Sequence, residues 1–477
     1  MGKPLIHLPD LKKGLFIGDP ELRSKYQERL VHYTSFIKKA CRQNGDLVYI
    51  NEEDPIDFLA QTFACIESSV SVLLGSSQWG SSEIQGVRKY ANFTFGSEDL
   101  EVIEQVSFTL PKDSNPSIIF KTGGSSGKIQ FACHTMESLT SAADSLALFL
   151  QKEDRVEALI KKEDSQVCFD YQGVEEHGFM NQWAMSSLIT LPLHHVSGFM
   201  PIIRAIVSGG EVFFESFKKL KELCPKTVRN LWLSLVPTQL KELCGDASSL
   251  RILGEFRGIF MGGASMSEKV VSLCIEKQLP IYPCYGMTET AAMVSLMPKK
   301  QFLLEQRGVG YPLPGVRISL VKDGLISIES KSLFRGYLGA CSFKKPRVPF
   351  VTEDMGTFAQ DKSLILRGKK NQLINTGGEK VDPQEVMEVM ERIFNRSLCV
   401  FSIEDARWGE KVVAVFEGNP FTEDSMAWKL QECKKILSQY KIPKSYKYVD
   451  KFPLLPSKKI NFQKLKNLFA EEANGSF

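Results

Sequence analysis

The sequence lacks the features that define several large classes of protein. Its 477 residues contain no apolar run near the ~18 residues that a membrane-spanning helix needs, and its first residues contain no continuous apolar segment typical of a secretory signal. The 11 cysteines are scattered without a CxxC pair, which disfavours a disulfide framework. With only six histidines and no cluster of ligands, a zinc site is disfavoured as well. These absences predict a cytoplasmic protein with reduced thiols and no integral membrane contact.

The charges are nearly balanced. The chain has 59 lysines and arginines against 56 acidic residues, so the concentrated basic surface of a nucleic-acid-binding protein is not expected. The composition, 43% hydrophobic and 24% charged, excludes wholesale disorder, collagen and coiled coil. Because a single core stops growing near ~250–300 residues, the length predicts more than one structural unit.

Short apolar runs alternate with amphipathic helical segments between residue 116 and about residue 340. Runs such as Glu211–Phe214 and Gly258–Met261 are typical of strands buried on both faces, so we predict an α/β fold of mostly parallel sheets layered with helices. Alternating runs that follow a Pro- and Gly-rich segment predict a β-rich subdomain over about 310–368. Residues 1–368 then form a large N-terminal domain, and residues 369–477 form a small α+β domain with a helix over 423–440.

The most informative motif is Lys-Thr-Gly-Gly-Ser-Ser-Gly-Lys at residues 121–128. Its glycines let backbone N–H groups surround an anion, and its hydroxyls and final lysine add donors and positive charge. A Walker A loop is excluded, because Thr122 and Ile129 stand where that motif needs Gly and Ser or Thr. The alternative interpretation is an ordinary Gly- and Ser-rich turn.

Two further motifs carry candidate ligands for a nucleotide. In Tyr-Gly-Met-Thr-Glu at 285–289, Thr288 can donate to a phosphate oxygen and Glu289 can bind Mg²⁺, which prefers carboxylate and phosphate oxygens. Met-Gly-Gly-Ala at 261–264 follows a predicted strand, where glycines allow a flat base to approach the backbone. Either motif alone is also compatible with a simple turn.

Two pairs of basic residues complete the set. His194 and His195 precede Val-Ser-Gly and are suited to gating a pocket, although a single histidine is more often structural. Lys458 and Lys459 lie in a basic loop near the C-terminus, and a solvated charge pair is the alternative there.

The order of these motifs resembles that of the acyl-adenylate-forming superfamily, which includes acyl-CoA ligases, luciferases and peptide-synthetase adenylation domains. The resemblance covers residues from about 116 to 465 and includes Phe-Arg-Gly-Tyr at 334–337, Thr-Glu-Asp at 352–354 and Gly-Gly-Glu-Lys at 377–380. Within the superfamily, the short N-terminal region and the form of the phosphate loop are most similar to those of o-succinylbenzoate–CoA ligases of menaquinone or phylloquinone synthesis. The resemblance implies that the C-terminal domain is mobile, with its hinge at Lys370.

The resemblance also implies an activity. An ATP-dependent acid–thiol ligase would join a carboxylate to ATP, giving acyl-AMP and pyrophosphate, and the thiol of coenzyme A would then displace AMP. The implied acid is o-succinylbenzoate, whose second carboxylate needs a basic anchor; Arg88, Lys89 and Arg204 are candidates. The alternatives are another aryl- or acyl-CoA ligase, an acyl-AMP ligase that loads a carrier protein, and a degenerate member that binds nucleotide or acyl ligand without chemistry.

Residue by residue, the resemblance implies a nucleotide-binding set and a catalytic set. The nucleotide-binding set holds the phosphates, adenine and ribose of ATP and comprises Thr122, Gly123, Gly124, Ser125, Ser126, Gly127, Lys128, Gly262, Gly263, Ala264, Tyr285, Gly286, Asp354 and Lys369. The catalytic set comprises Thr288 at the α-phosphate, Glu289 as the Mg²⁺ ligand, His195 by the acyl and CoA entrance, and Lys459 at the attacking carboxylate.

Four positions depart from the pattern of the superfamily. Gly123 replaces a common serine, Glu353 replaces the glycine before the ribose-binding aspartate, and Lys458 replaces the glycine before the catalytic lysine. Lys369 stands where an arginine is usual, with Arg367 two residues earlier. The sequence therefore leaves open which lysine of the pair enters the site and which of Lys369 and Arg367 meets the ribose.

Overall fold

The computed structural model describes most of the chain between residues 16 and 470. The described residues are 16–41, 46–77, 79, 84, 86–87, 90–95, 100–102, 116–122, 130–163, 184–338, 343–344, 347–370, 374–376, 379–405, 408–455 and 460–470. None of the helices in these ranges has the length and apolar character needed to cross a membrane.

The described residues form 25 strands and 12 α-helices. The strands are β1 (Phe16–Ile17), β2 (Leu47–Ile50), β3 (Ser71–Leu74), β4 (Phe93–Phe95), β5 (Leu100–Val102), β6 (Ile118–Thr122), β7 (Gln130–His134), β8 (Ser187–Ile189), β9 (Glu211–Phe214), β10 (Trp232–Leu235), β11 (Gly258–Met261), β12 (Ile281–Met287), β13 (Ala292–Leu296), β14 (Tyr311–Pro312), β15 (Arg317–Leu320), β16 (Leu325–Glu329), β17 (Gly336–Leu338), β18 (Phe343–Lys344), β19 (Phe350–Phe358), β20 (Leu364–Lys369), β21 (Ile374–Thr376), β22 (Glu379–Val381), β23 (Leu398–Asp405), β24 (Gly409–Glu417) and β25 (Ser445–Val449). The helices are α1 (Pro20–Ala40), α2 (Pro55–Glu67), α3 (Met136–Glu163), α4 (Val196–Ser208), α5 (Pro225–Val228), α6 (Pro237–Leu243), α7 (Ala247–Leu253), α8 (Glu268–Glu276), α9 (Lys299–Leu303), α10 (Pro383–Phe394), α11 (Glu423–Lys434) and α12 (Phe462–Ala470).

Three of the helices begin with the same Asp-Pro pair. The carboxylates of Asp19, Asp54 and Asp382 accept hydrogen bonds from backbone N–H groups in the first turns of α1, α2 and α10. The proline that follows each aspartate occupies the first helical position, where an N–H would have no partner inside the helix. The local sequence therefore fixes where these helices start.

Two eight-stranded sheets enclose a shared layer of helices. The first has the order β1-β9-β8-β10-β11-β12-β13-β14 and is parallel from β1 to β12. The second has the order β18-β17-β7-β6-β3-β2-β4-β5, with a parallel centre formed by β6, β3, β2 and β4. One hydrophobic core contains side chains of both sheets and of α1, α2, α3 and α4, so these helices form a layer between the sheets. The predicted α/β fold is confirmed.

Two smaller sheets follow. Strands β15-β16-β19-β20 form an antiparallel sheet in the region predicted to be rich in β-structure. Strands β21 to β25 form a sheet whose cores contain only side chains from residues after 373. The sheet of β21 to β25 contacts the preceding residues through Lys241 of α6. The Lys241 Nζ contacts Glu417 and lies 3.3 Å from the Ser397 Oγ. The domain boundary at 368/369 and the mobility of the last domain stay predictions.

The end of one helix differs from the sequence-based expectation. The helix predicted over 423–440 ends at Lys434, because Ser438 is extended and a separate 3-10 turn, Gln439–Lys441, follows it. The implied hinge residue Lys370 directly follows β20, whose last residue Lys369 pairs with Asp354 of β19. Any flexible connection therefore begins no earlier than Lys370.

Trypsin should cut this chain first at Lys370. The residue is exposed and directly follows the last strand of the antiparallel sheet, so local opening there requires little loss of packing. We expect a large and a small fragment that meet near residue 370, and slower cleavage when ATP and the acid substrate are both present. Equal cleavage rates with and without ligands would argue against a hinge that responds to substrate.

Candidate active site

The glycine motif 262–264 and the segment 285–289 lie beside each other at one edge of the first sheet. Strands β11 and β12 are parallel and adjacent, with Met261 opposite Pro283, so the residues after β11 lie beside the end of β12. A Cβ at Gly262 would lie 2.8 Å from the Cys284 Sγ, and a Cβ at Gly286 would overlap the Ala292 carbonyl oxygen. Both positions therefore need glycine for close backbone approach.

A short 3-10 helix, Thr288–Thr290, presents Thr288 and Glu289 at this edge. The Thr290 hydroxyl closes the turn, since it accepts the Met287 N–H at 3.0 Å and lies 2.7 Å from the Ala292 carbonyl oxygen. The turn is also held by a residue that is distant in the sequence. The His134 Nε2 lies 2.7 Å from the Thr288 carbonyl oxygen, and the His134 Nδ1 lies 2.9 Å from the Ser138 Oγ. This backbone segment is thus fixed by side chains of β7 and α3.

His134 was not found from the sequence. It is fully buried, and burial lowers its pKa to about 4, so the ring is neutral at neutral pH. A carbonyl oxygen can only accept, and the neutral ring must therefore donate its Nε2–H to Thr288. The only local signal was a histidine inside the apolar run after the phosphate loop.

The Glu289 carboxylate is half-buried and oriented by a tyrosine. The Tyr337 hydroxyl donates to the Glu289 Oε1 at 2.8 Å. Burial raises the pKa of Glu289 above its ordinary value, although this hydrogen bond acts in the opposite direction. Burial and the neighbouring Glu289 raise the pKa of Tyr337 as well, which keeps the hydroxyl protonated.

Three predicted nucleotide-binding residues meet at Asp354. The Tyr285 hydroxyl donates to the Asp354 Oδ2 at 2.9 Å, and the Lys369 Nζ lies 2.9 Å from its Oδ1. Asp354 and Lys369 face each other across β19 and β20, so the sheet register places the lysine there. Arg367 is exposed, and its Nε lies 3.3 Å from the Thr357 Oγ1. Of the two basic residues, Lys369 is therefore the one that contacts Asp354.

The two histidines lie beside the strand that leads into the phosphate loop. His195 is the N-cap residue of α4, and its ring centroid lies 4.3 Å from that of His194. His194 meets the edge of Trp79, and the Lys121 Nζ lies 5.3 Å from the centre of the Trp79 ring. Burial, followed by the charges of His195 and Lys121, lowers the pKa of His194 to about 3. Trp79 is a second residue that the sequence motifs did not reveal.

Arg204 is a charged side chain inside the protein. It is 4% exposed on α4, and its guanidinium carbon lies 5.1 Å from the centre of the Phe260 ring on β11. Burial lowers its pKa to about 10, which still leaves it charged at neutral pH. Its Nε has no hydrogen-bond partner among the described residues. Arg88 and Lys89, the other two candidate anchors, lie outside the described residues.

Two of the predicted segments lie outside the described residues. These are the phosphate loop from Gly123 to Lys128 and the pair Lys458 and Lys459. The residues that flank them are described: buried Thr122 ends β6 opposite Gln130 of β7, and Leu454 is bridged to Ile460. Each undescribed segment is thus bracketed by paired backbone.

Glu289 fits the role of a magnesium ligand. Among the described residues, no three His, Cys, Asp or Glu side chains are close enough to share a metal ion, so an all-protein cage is excluded there. Mg²⁺ commonly takes one or two carboxylates and completes its shell with substrate phosphates and water. Burial disfavours the bare carboxylate charge of Glu289, and a divalent cation would offset that cost.

Replacing Glu289 with glutamine should raise the Mg²⁺ concentration needed for half-maximal adenylation about 10-fold, or ~1.4 kcal/mol. The amide keeps the shape of the side chain and can still accept the Tyr337 hydroxyl, but it lacks the charge that attracts the metal. The melting temperature should not fall, because a neutral amide is easier to bury than a carboxylate. An unchanged Mg²⁺ dependence would contradict the assignment of Glu289.

The chain belongs to the AMP-binding enzyme family, whose model matches residues 80–338. Among curated proteins it is similar to the 2-succinylbenzoate–CoA ligases of Geobacillus sp. (strain WCH70), with 27% identity over 308 residues, 61% of this chain and 62% of that protein. It is also similar to the one from Lactococcus lactis subsp. lactis, with 30% identity over 289 residues, 58% of this chain and 61% of that protein. The chain thus spans about three fifths of the length of these relatives.

Solved structures show the same fold. o-Succinylbenzoate CoA synthetase (MenE) from Bacillus subtilis, in complex with the acyl-adenylate OSB-AMP, matches with a TM-score of 0.70 and 19% identity, over 93% of this chain and 92% of that one. Wild-type E. coli MenE with a bound analogue of OSB-AMS matches with a TM-score of 0.66 and 19% identity, over 94% and 93%. At this identity, the likeness establishes the fold.

Proposed function

We propose that this protein is an ATP-dependent acid–CoA ligase that acts in the cytoplasm and converts o-succinylbenzoate to its CoA thioester through an acyl-AMP intermediate. The observation that carries the proposal is the arrangement at one sheet edge of Thr288, Glu289 and the Tyr285–Asp354–Lys369 cluster, in a chain of the AMP-binding family. The names of the curated relatives support the choice of acid and thiol.

The residues divide the chemistry of the first half-reaction between them. A carboxylate oxygen of the acid attacks the α-phosphorus of ATP, and the bond to the bridging oxygen of pyrophosphate breaks. Thr288 donates to the α-phosphate, Thr122 and the loop up to Lys128 hold the other phosphates, and Asp354 accepts from the ribose hydroxyls. Mg²⁺ held by Glu289 supplies positive charge at the phosphate oxygens. Donors and charges that are in position before the reaction stabilise the charge that develops in the transition state.

In the second half-reaction the sulfur of coenzyme A attacks the acyl carbon, and the bond to the AMP oxygen breaks. We propose that the C-terminal domain turns about Lys370 between the two steps, so that Lys459 is near the substrates only during the first. A mobile domain also excludes water from the acyl-AMP. We assign His195, the N-cap residue of α4 that lies against His194, to the acyl and CoA entrance.

Arg204 is the described candidate for the anchor of the second carboxylate. A buried cation with an unpartnered Nε is costly unless a ligand completes its hydrogen bonds. A carboxylate is the natural partner, since the guanidinium fork matches its two oxygens. Phe260 on β11 and Cys284 on β12 connect this arginine to the two strands that precede Gly262 and Glu289. A dicarboxylic aromatic acid therefore suits the site better than a fatty acid does.

The proposal is tested by ATP–pyrophosphate exchange with three kinds of acid: o-succinylbenzoate, benzoate and medium-chain fatty acids. We expect exchange with o-succinylbenzoate and little with the others, followed by thioester formation with CoA. Exchange with another acid would show that the proposed acid is wrong and that the proposed reaction is right. Transfer to a carrier protein and not to CoA would change the acceptor, and ATP binding without exchange under any condition would favour a non-catalytic member.

A further inference from the structure

We propose that Tyr337 is the positioning residue of Glu289, and that its hydroxyl fixes the Glu289 carboxylate in the orientation that binds the metal. This inference rests on the proposed function, because it takes Glu289 to be the magnesium ligand. Tyr337 belongs to the motif Phe-Arg-Gly-Tyr, to which neither the sequence nor the proposed chemistry assigns a task.

The segment 334–337 holds Glu289 at two points. The Phe334 N–H donates to the Glu289 carbonyl oxygen at 2.9 Å, and the Tyr337 hydroxyl donates to the Glu289 Oε1 at 2.8 Å. The first bond fixes the backbone and the second fixes the end of the side chain. A glutamate side chain otherwise has several rotamers, whose restriction costs up to ~2 kcal/mol of entropy. With Oε1 engaged by Tyr337, the Glu289 carboxylate is held in one orientation.

Tyr337 is itself held rigidly. It lies on β17, where it pairs with Ala132 of β7 on one side and with Lys344 of β18 on the other. The Phe334 ring packs against it with a centroid distance of 4.7 Å and is in turn packed against Phe350. A donor built into a sheet in this way can set a geometry that a loop residue cannot.

The same strand pairing relates Glu289 to the phosphate loop. β7 is the strand that leaves the loop, and its Ala132 pairs with Tyr337 while its His134 binds the Thr288 carbonyl oxygen. Tyr337 and His134 therefore connect the strand after the loop to the segment that carries Thr288 and Glu289.

The test is Tyr337→Phe, which removes only the hydroxyl, with Mn²⁺ as the probe. Binding of Mn²⁺ in the presence of a non-hydrolysable ATP analogue is measured by electron paramagnetic resonance, without acid or CoA. We expect the Mn²⁺ dissociation constant to rise about 10-fold, which corresponds to ~1.4 kcal/mol, with an unchanged melting temperature. In adenylation assays the loss should appear in the half-saturating Mg²⁺ concentration, and excess Mg²⁺ should restore kcat.

Two further variants make the result specific. Tyr311→Phe is the matched control, since the Tyr311 hydroxyl also donates to a carboxylate, the Asp361 Oδ2 at 3.0 Å, on an exposed surface; its Mn²⁺ affinity should equal that of the wild type. In the double variant Glu289→Gln with Tyr337→Phe, the tyrosine change should add nothing, because its effect passes through Glu289.

Several outcomes would overturn the inference. These are wild-type Mn²⁺ affinity in Tyr337→Phe, an equal loss in Tyr311→Phe, or an additive loss in the double variant. Because the binding assay needs no acid or CoA, failure of the proposed ligase reaction leaves this test intact. If the wild type shows the ligase activity and Tyr337→Phe binds Mn²⁺ normally, the inference about Tyr337 is wrong and the proposed function stands.

Discussion

Lys459→Ala should slow adenylate formation about 100-fold or more, equivalent to ~3 kcal/mol, and should slow thioester formation from preformed acyl-AMP far less. Bringing a carboxylate to the phosphates of ATP joins like charges, and an ammonium between them offsets the repulsion. The second half-reaction has no such need, because a thiolate attacks a neutral carbonyl carbon. Pyrophosphate release and single-turnover thioester formation measure the two steps separately.

Lys458 provides the control for this experiment. It stands beside Lys459 and is itself a departure from the superfamily pattern, so Lys458→Gly restores the usual residue. We expect Lys458→Gly to remain active and the double variant to behave as Lys459→Ala. Equal losses in both half-reactions, or a larger loss from Lys458→Gly, would refute the role given to Lys459.

Arg204→Met should raise the KM for o-succinylbenzoate about 100-fold, or ~2.7 kcal/mol, because the second carboxylate would then be buried without a partner. The same change should leave the melting temperature unaltered or higher, since it removes a buried charge whose Nε lacks a partner among the described residues. Steady-state kinetics and thermal denaturation on the same samples test both halves of this expectation. If Arg204 served only in folding, Arg204→Met would instead lower the melting temperature.

Two comparisons sharpen the Arg204 experiment. A monocarboxylic analogue that lacks the second carboxylate should bind the wild type poorly and Arg204→Met no worse. Arg204→Lys should give an intermediate KM, because an ammonium keeps the charge but lacks the planar fork that matches a carboxylate. If Arg204→Met changed the KM for ATP and not that for the acid, the anchor would have to be sought elsewhere.

The sequence predicted much of the fold because the buried strands are continuous apolar runs. Strands such as Glu211–Phe214 and Gly258–Met261 were predicted with their observed bounds. The helix after residue 423 was predicted too long, because its polar pattern continues past Lys434 while the backbone becomes extended at Ser438. Propensity alone does not detect such an end, which is set by the tertiary contacts of the residues that follow.

The candidate site was predicted less completely, for a physical reason. Motifs identify residues that would meet the nucleotide, but the residues that support them are recognised only through partners distant in the chain. His134 and Thr288 are 154 residues apart, and Tyr337 and Glu289 are 48 apart. Arg204 is one of three candidates in the sequence, and its burial is visible only in the structure. The contact between Lys369 and Asp354 likewise depends on the pairing of β19 with β20, and the role of Lys369 at the ribose stays a prediction.

The neutral, buried His134 makes the stability of this fold depend on acidity. In the unfolded chain the imidazole takes up a proton below pH ~6.5, whereas in the folded protein it does so only near pH 4. Acid therefore favours the unfolded chain across that interval, by up to ~1.4 kcal/mol for each pH unit. His194 has its pKa lowered in the same direction, so both histidines act together. The arrangement that fixes the Thr288 carbonyl is thus stable near neutral pH and loses stability when the surroundings become acidic.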